Sequence, residues 1–209
     1  MSEKTRNNLD ILKKSVAAGI MLSIGCVVKL SCENAAVGNF LFATGLFAIC
    51  VFGMNLFTGK IGYIIETKNS PNCLMVWIGN FLGQIIGCGL LRLAKPSLHD
   101  TASLLMKSKL ELPWYSVAIT SIFCGILMFA AVDCFKRSQS GTLKLAGVVF
   151  CVMTFIFAGF EHSIANMGYA VLGIAEIGEI LPYLGFLLLV TIFNGVGGIG
   201  LWFFTRNRK

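Results

Sequence analysis

Apolar residues along this chain gather in long runs rather than in amphipathic stripes, and short polar stretches set the runs apart. Six such segments are predicted, roughly 14–32, 38–64, 72–94, 112–135, 142–174 and 181–205. An unbroken helix needs about 20 residues to cross the hydrocarbon of a bilayer. Segments 2 and 5 exceed that, and each carries a polar interruption. In segment 2 it is Asn55-Leu56-Phe57-Thr58-Gly59-Lys60; in segment 5 it is the stretch around Glu161 and His162. A charge at the bilayer centre costs at least about 2.5–3.5 kcal/mol on insertion scales. Residues of this kind persist where they face water, pair with one another or do chemistry. The pattern predicts an all-α integral membrane protein of six transmembrane segments, a single domain over 1–209, with segments 2 and 5 broken.

The two halves look alike. Segment 3 carries Gly79-Asn80-Phe81-Leu82-Gly83 and segment 6 carries Asn194-Gly195-Val196-Gly197-Gly198, each directly after a broken segment. Three spans per half would send the second half into the membrane in the opposite sense, an inverted repeat over roughly 14–94 and 112–205. Broken helices at matching positions of two inverted halves point to a transport site near the midplane. The small residues of segments 3 and 6 let helices approach closely, so the Gly-Asn pairs are expected to scaffold the pore rather than line it.

Composition narrows the picture. Only 13% of the residues are charged and 56% are hydrophobic, against about 25% charged in a typical soluble domain. The opening MSEKTRNNLDILKK is polar and mixed in charge, and no small-residue cleavage pattern ends the first run, so no signal peptide is expected. The net charge of +7 sits between the apolar segments. With both termini cytoplasmic, the inside holds twelve basic residues, Lys4, Arg6, Lys13, Lys14, Lys60, Lys68, Lys136, Arg137, Lys144, Arg206, Arg208 and Lys209. The outside holds five, Lys29, Arg92, Lys95, Lys107 and Lys109. That bias supports the topology and places the chain in the cell's inner or plasma membrane; nucleic-acid binding is a poor reading. The four basic residues in the loop before segment 4 run against the bias. None of the eight cysteines forms a C-x-x-C pair and most fall in apolar runs, so they read as small hydrophobes rather than metal ligands. No metal or cofactor is expected.

Interrupting a membrane helix frees backbone N–H and C=O groups that lipid cannot satisfy, so the breaks belong inside protein or against a watery cavity. A half-helix N-terminus facing that cavity favours an anion. Ser163 is placed to cap a half-helix starting after His162. Two facing breaks would form a polar pinch flanked by Leu56, Phe57, Phe155 and Phe160. His162 is one of two histidines and the one inside an apolar segment. A bis-histidine haem site would need a second intramembrane histidine, and His99 lies in a loop. As a pore residue, imidazole offers a donor, a cation or a proton relay near physiological pH. Glu161 is expected to anchor the break through buried partners, and Thr58 to offer a pore hydroxyl beside Gly59. Lys109 is either a solvated loop lysine or a concentrator of anions at the mouth.

At these residues the chain resembles the formate/nitrite transporter family, which includes formate, nitrite and hydrosulfide channels. Asn55-Leu56-Phe57-Thr58-Gly59 is similar to the family's first-break motif and Phe160-Glu161-His162-Ser163-Ile164-Ala165-Asn166-Met167 to its second; the resemblance spans essentially the whole chain. It implies that His162 is the central pore histidine, Thr58 its hydroxyl partner and Asn166 the supporting asparagine. Phe42, Leu46, Leu56, Phe57 and Phe155 fall at its apolar constrictions, and Lys109 at the vestibule lysine. It also implies an aquaporin-like fold and a homopentamer with one pore per subunit in the lipid bilayer. Two departures stand out: Gly125 follows Cys124 where the family often has asparagine, and Asn55 stands where many members are acidic. A lost polar group near the vestibule would alter selectivity or weaken the lysine's support. The short termini argue against gating by a long N-terminal helix.

The function expected is a passive or proton-coupled channel for small monovalent weak-acid anions, formate first, with a hydrosulfide or nitrite channel as the alternative. An intramembrane hydrolase is less supported, because no G-x-S-x-G motif is present and Ser163 adjoins His162 in sequence. A purely structural membrane protein would have no use for two matched polar breaks.

Overall fold

The computed structural model describes residues 2–66, 72–174 and 176–206; Lys68, Arg208 and Lys209, assigned above to the inner face, lie outside them. The described residues form helices throughout: α1 (Glu3–Ser31), α2 (Ala35–Val51), α3 (Phe57–Lys60, continued by a 3₁₀ turn Ile61–Ile65), α4 (Cys73–Ala94), α5 (Leu98–Leu110), α6 (Trp114–Arg137), α7 (Gly141–Phe157), α8 (Ser163–Gly173) and α9 (Ile177–Thr205). Four of them, α1, α4, α6 and α9, are long and apolar enough to cross a bilayer. Large apolar side chains such as Phe52, Leu93, Leu181 and Phe204 stand on the outer surface, a distribution suited to a membrane protein and not to a water-facing one.

α1 packs along α4, α6 along α9, and α2 meets α7. Glycines allow the first two approaches. A Cβ on Gly83 would strike the Val16 carbonyl of α1, and one on Gly197 the Ile122 carbonyl of α6. The small-residue expectation for segments 3 and 6 is thereby met by backbone-to-backbone contact.

Three boundaries differ from the sequence reading. α1 starts at Glu3 rather than near residue 14, because Ser2 accepts a hydrogen bond from Thr5 N at 3.2 Å and Glu3 sits in the first turn. The first break occupies 52–56, so Phe57–Lys60, read as part of the interruption, is already helical. The stretch before segment 4 is not a loop but α5. The basic residues counted there are largely used internally: Arg92, in the last turn of α4, donates to the carbonyls of Val171 at 3.2 Å and Ile174 at 2.7 Å at the end of α8, and Lys107 of α5 lies 3.6 Å from Glu179.

Candidate functional site

Both breaks are built alike from the backbone outward. α2 is capped at Phe52 and followed by Gly53 with φ of 63°; α7 is capped at Ala158 and followed by Gly159 with φ of 68°. The next amide then reaches back five residues, Met54 N to Ile49 O and Phe160 N to Phe155 O, each at 2.9 Å. A left-handed residue with a side chain costs about 1–2 kcal/mol, which explains glycine at these two positions. The chain then runs extended through Leu56 and His162 before α3 and α8 begin.

The freed backbone groups are met by one buried asparagine per break. Asn80 of α4 accepts from Phe57 N at 2.9 Å, and its Nδ2 donates to the carbonyls of Ser15 and Asn55, both at 2.8 Å. Asn194 of α9 accepts from Ser163 N at 2.9 Å, and its Nδ2 donates to the carbonyls of Ser121 and Glu161, both at 2.8 Å. Each amide spends both donors and an acceptor on backbone that apolar surroundings would otherwise leave unpaired. The sequence reading placed these asparagines in the scaffold but not on the breaks. Their position one helix after each interruption was the available signal.

His162 caps α8 through its own ring. Nδ1 accepts from Ala165 N at 3.0 Å. A neutral imidazole has one accepting nitrogen, so the hydrogen-bond network assigns the ring proton to Nε2. Nε2 lies 2.9 Å from Thr58 Oγ1 and donates to it. Among the described residues the hydrogen of the Thr58 hydroxyl then has no protein acceptor, and it is available to a ligand. The expected capping by Ser163 is not observed. Ser163 is the first helical residue, its N–H goes to Asn194, and its buried Oγ has no partner among the described residues.

Apolar groups close around this pair. The Phe155 ring stacks on His162 with centroids 5.5 Å apart and meets Phe42 edge-on at 6.0 Å. Leu46, Leu56 and Phe57 are buried in the same core. Gly59 packs against the Val132 side chain, where a Cβ would clash.

Glu161 points away from His162. Its Oε2 accepts from Lys109 Nζ at 2.5 Å and from Asn166 Nδ2 at 2.8 Å, and its side chain is only 2% exposed. Lys109, in the last turn of α5 and partly exposed, is therefore neither a solvated loop lysine nor a free positive charge, because it is paired with a buried carboxylate. The Asn166 side chain donates to Glu161 and not to the imidazole, while its N–H donates to the His162 carbonyl at 2.9 Å.

Two cavities adjoin the centre. A small one of about 40 Å³ is lined by His162, Phe155, Asn166, Lys109, Lys29 and Tyr169. A larger one of about 200 Å³ is lined by Leu56, Ile49, Met54, Lys60 and Lys136 among others. Lys29, Lys60 and Lys136 were counted in the topology but not recognised as cavity residues.

A family model described as formate/nitrite transporter matches residues 1–206. The chain belongs to the formate/nitrite transporter family. Among its relatives, the nitrite transporter NirC of Escherichia coli is 25% identical, over 95% of this chain and 85% of that protein. The formate channel FocA of Haemophilus influenzae is 22% identical over 76% of this chain, which spans 64% of that protein's length. A solved FNT family ion channel superposes with a TM-score of 0.84 at 23% identity, covering 97% of this chain and 93% of that one. A pentameric formate channel with formate bound gives 0.78 at 23% identity, covering 97% and 98%. At such identities these likenesses establish the all-helical fold.

The two departures from the formate/nitrite transporter pattern have structural readings. A Cβ on Gly125 would strike the Asn194 carbonyl, so this glycine admits α9 against α6, and the expected loss of a vestibule group is replaced by a packing role. Asn55 ties its break to α1, its N–H on the Lys14 carbonyl at 3.3 Å and its Nδ2 on the Ile11 carbonyl at 3.4 Å. A carboxylate there would lose the second donor.

Proposed function

We propose that this chain is a channel for small monovalent weak-acid anions, formate foremost, with the Thr58–His162 pair as the polar centre of its pore. Six spans are reached by counting α2 with α3 and α7 with α8 as two broken crossings. The matched glycines, the matched asparagines and the two break geometries support an inverted repeat of three plus three. The distribution of basic residues supports cytoplasmic termini and a place in the cell's inner or plasma membrane. A homopentamer follows by analogy with the pentameric formate channel of like fold.

The observation that carries this reading is the hydrogen-bonded Thr58–His162 pair held at 2.9 Å between apolar side chains, with a cavity adjoining each break. An anion entering from either cavity meets Phe42, Phe155 and Leu56 and loses water, which raises its affinity for a proton. The free Thr58 hydroxyl donates to it, with the His162 Nε2–H polarising that oxygen from behind. The proton arrives through cavity water rather than from the ring. Loss of the Nε2 proton would leave an imidazolate, and gain of one at Nδ1 would release Ala165 N. The weak acid then crosses neutral, and a strong-acid anion such as chloride crosses poorly. Nitrite and hydrosulfide satisfy the same chemistry, and relatives named nitrite transporter cover the chain almost completely.

Uptake of formate, nitrite, hydrosulfide, lactate and chloride into proteoliposomes, compared with empty liposomes over about pH 5 to 8, tests the proposal. Formate flux rising with acidity is the expected result. Absence of flux above empty liposomes for every anion overturns the channel reading, and chloride flux equal to formate overturns neutral-acid passage.

A further inference from the structure

We infer that the apolar groove between α4, α8 and α9 is a binding site for an anionic phospholipid, whose phosphate sits on Arg92 and whose acyl chain lies in the groove. The inference does not depend on what the pore conducts.

The groove has a volume of about 320 Å³. Val171 and Ile174 come to it from α8, Ile180, Leu184 and Leu187 from α9, and Phe81 from α4. From Ile180 to Leu187 it follows α9 for two turns, about 10 Å, against a leaflet of about 15 Å of hydrocarbon. The space holds roughly ten methylenes at about 30 Å³ each, close to the liquid share of a water. Leu93 of α4 and Ile177 and Leu181 of α9 stand exposed near its outer end, so the surface around it is of the kind that meets lipid.

Arg92 supplies the charge. Its Nη1 donates to the carbonyls of Val171 and Ile174, two residues whose side chains line the groove, which fixes the half-buried guanidinium at that end of α8. The Nε–H and both Nη2–H groups have no protein acceptor among the described residues, and together they form the fork that takes two oxygens of a phosphate. No carboxylate among the described residues lies in ion-pair range of Arg92, and all ten acidic residues of the chain are among those described. Glu179, one turn into α9, is 3.6 Å from Lys107. In the topology proposed above, Arg92 stands at the outer headgroup level, where the basic-residue bias gives no reason for it; a lipid phosphate does. Lys95 follows at the end of α4. A choline head would bring its own cation beside these two, so the site favours a lipid of net negative charge.

Thermal unfolding of the purified intact protein in a neutral detergent, with dioleoylphosphatidylglycerol, dioleoylphosphatidylcholine or glycerol phosphate added, tests the site. Phosphatidylglycerol is expected to raise the midpoint by about 3 °C or more over phosphatidylcholine. Glycerol phosphate, a head without chains, is expected to leave it unmoved. Arg92→Gln weakens the cap on α8 and lowers the midpoint with every additive, so the site is read from the difference between the two lipids, which is expected to vanish. Leu184→Trp fills the groove while leaving Arg92 in place, and it too is expected to lose that difference; it decides if Arg92→Gln does not fold. Equal midpoints in the two lipids for the unaltered protein, a rise with glycerol phosphate alone, or a difference retained in either variant overturns the inference. Loss of the oligomer in Leu184→Trp, read by light scattering, also overturns it and assigns the groove to a second copy of this chain.

Discussion

The Thr58 hydroxyl oxygen lies 2.9 Å from His162 Nε2 across a sequence separation of 104 residues. Because His162 Nδ1 is already held by Ala165 N, the direction of this bond is set: the imidazole donates, and the threonine keeps its own hydrogen for whatever stands before it.

Removing that hydroxyl is the sharpest test of the centre. A hydrogen bond to a charged partner contributes about 1.5–3 kcal/mol, so Thr58→Val is expected to lower formate flux by about tenfold or more, while Thr58→Ser retains most of it. Initial uptake rates in proteoliposomes at matched incorporation decide; equal rates for the valine variant would remove Thr58 from the pathway.

His162 both caps α8 and faces Thr58, and two substitutions separate these roles. Asparagine is a favoured N-cap and phenylalanine is not. His162→Phe is expected to lower stability by about 1 kcal/mol and to abolish formate flux, whereas His162→Asn keeps the thermal midpoint and loses flux. Thermal unfolding in detergent beside transport assays reads both, and a common fall in midpoint would assign the residue to structure alone.

Lys109 and Glu161 form an ion pair in which the carboxylate is buried and the lysine partly exposed, so breaking it leaves a buried charge uncompensated, at a loss of up to about 3–5 kcal/mol. Lys109→Met and Glu161→Gln are each expected to destabilise strongly, with the double variant costing less than the sum. A double-mutant cycle on thermal stability measures the coupling; additivity would mean that the contact carries no energy. Asn166→Leu, which removes the second donor to Glu161, is expected to act in the same direction and less strongly.

Asn80 and Asn194 each satisfy three backbone groups at a break. Orphaning a buried group costs about 1–3 kcal/mol, so Asn80→Leu and Asn194→Leu are expected to be comparably and severely destabilising. Folded yield and melting temperature check this, and near-native stability of either variant would show that water or another group takes over.

The chain's own pattern determined a good deal. Apolar runs interrupted by polar residues are local properties, governed by the cost of exposing backbone and charge to lipid. The helices, the location of the second break and the burial of Glu161 were therefore legible, and the second-break motif led to the family. Helix ends were less so: the break before Phe57 depends on a left-handed Gly53 and on an asparagine reaching across from α4. Ser163 reads in sequence as the cap, but the imidazole one residue earlier reaches the same turn and Asn194 takes the serine's N–H.

Only the tertiary structure decided which polar groups meet. Thr58 reaches His162, Lys109 is neutralised by Glu161, and Lys60 and Lys136 are left to a cavity of their own. Hydrophobic periodicity reports that a residue is buried, because burial is a property of its face on its own helix. Its partner is set by how separate helices cross, and here glycine contacts between α1 and α4 and between α6 and α9 bring the breaks together.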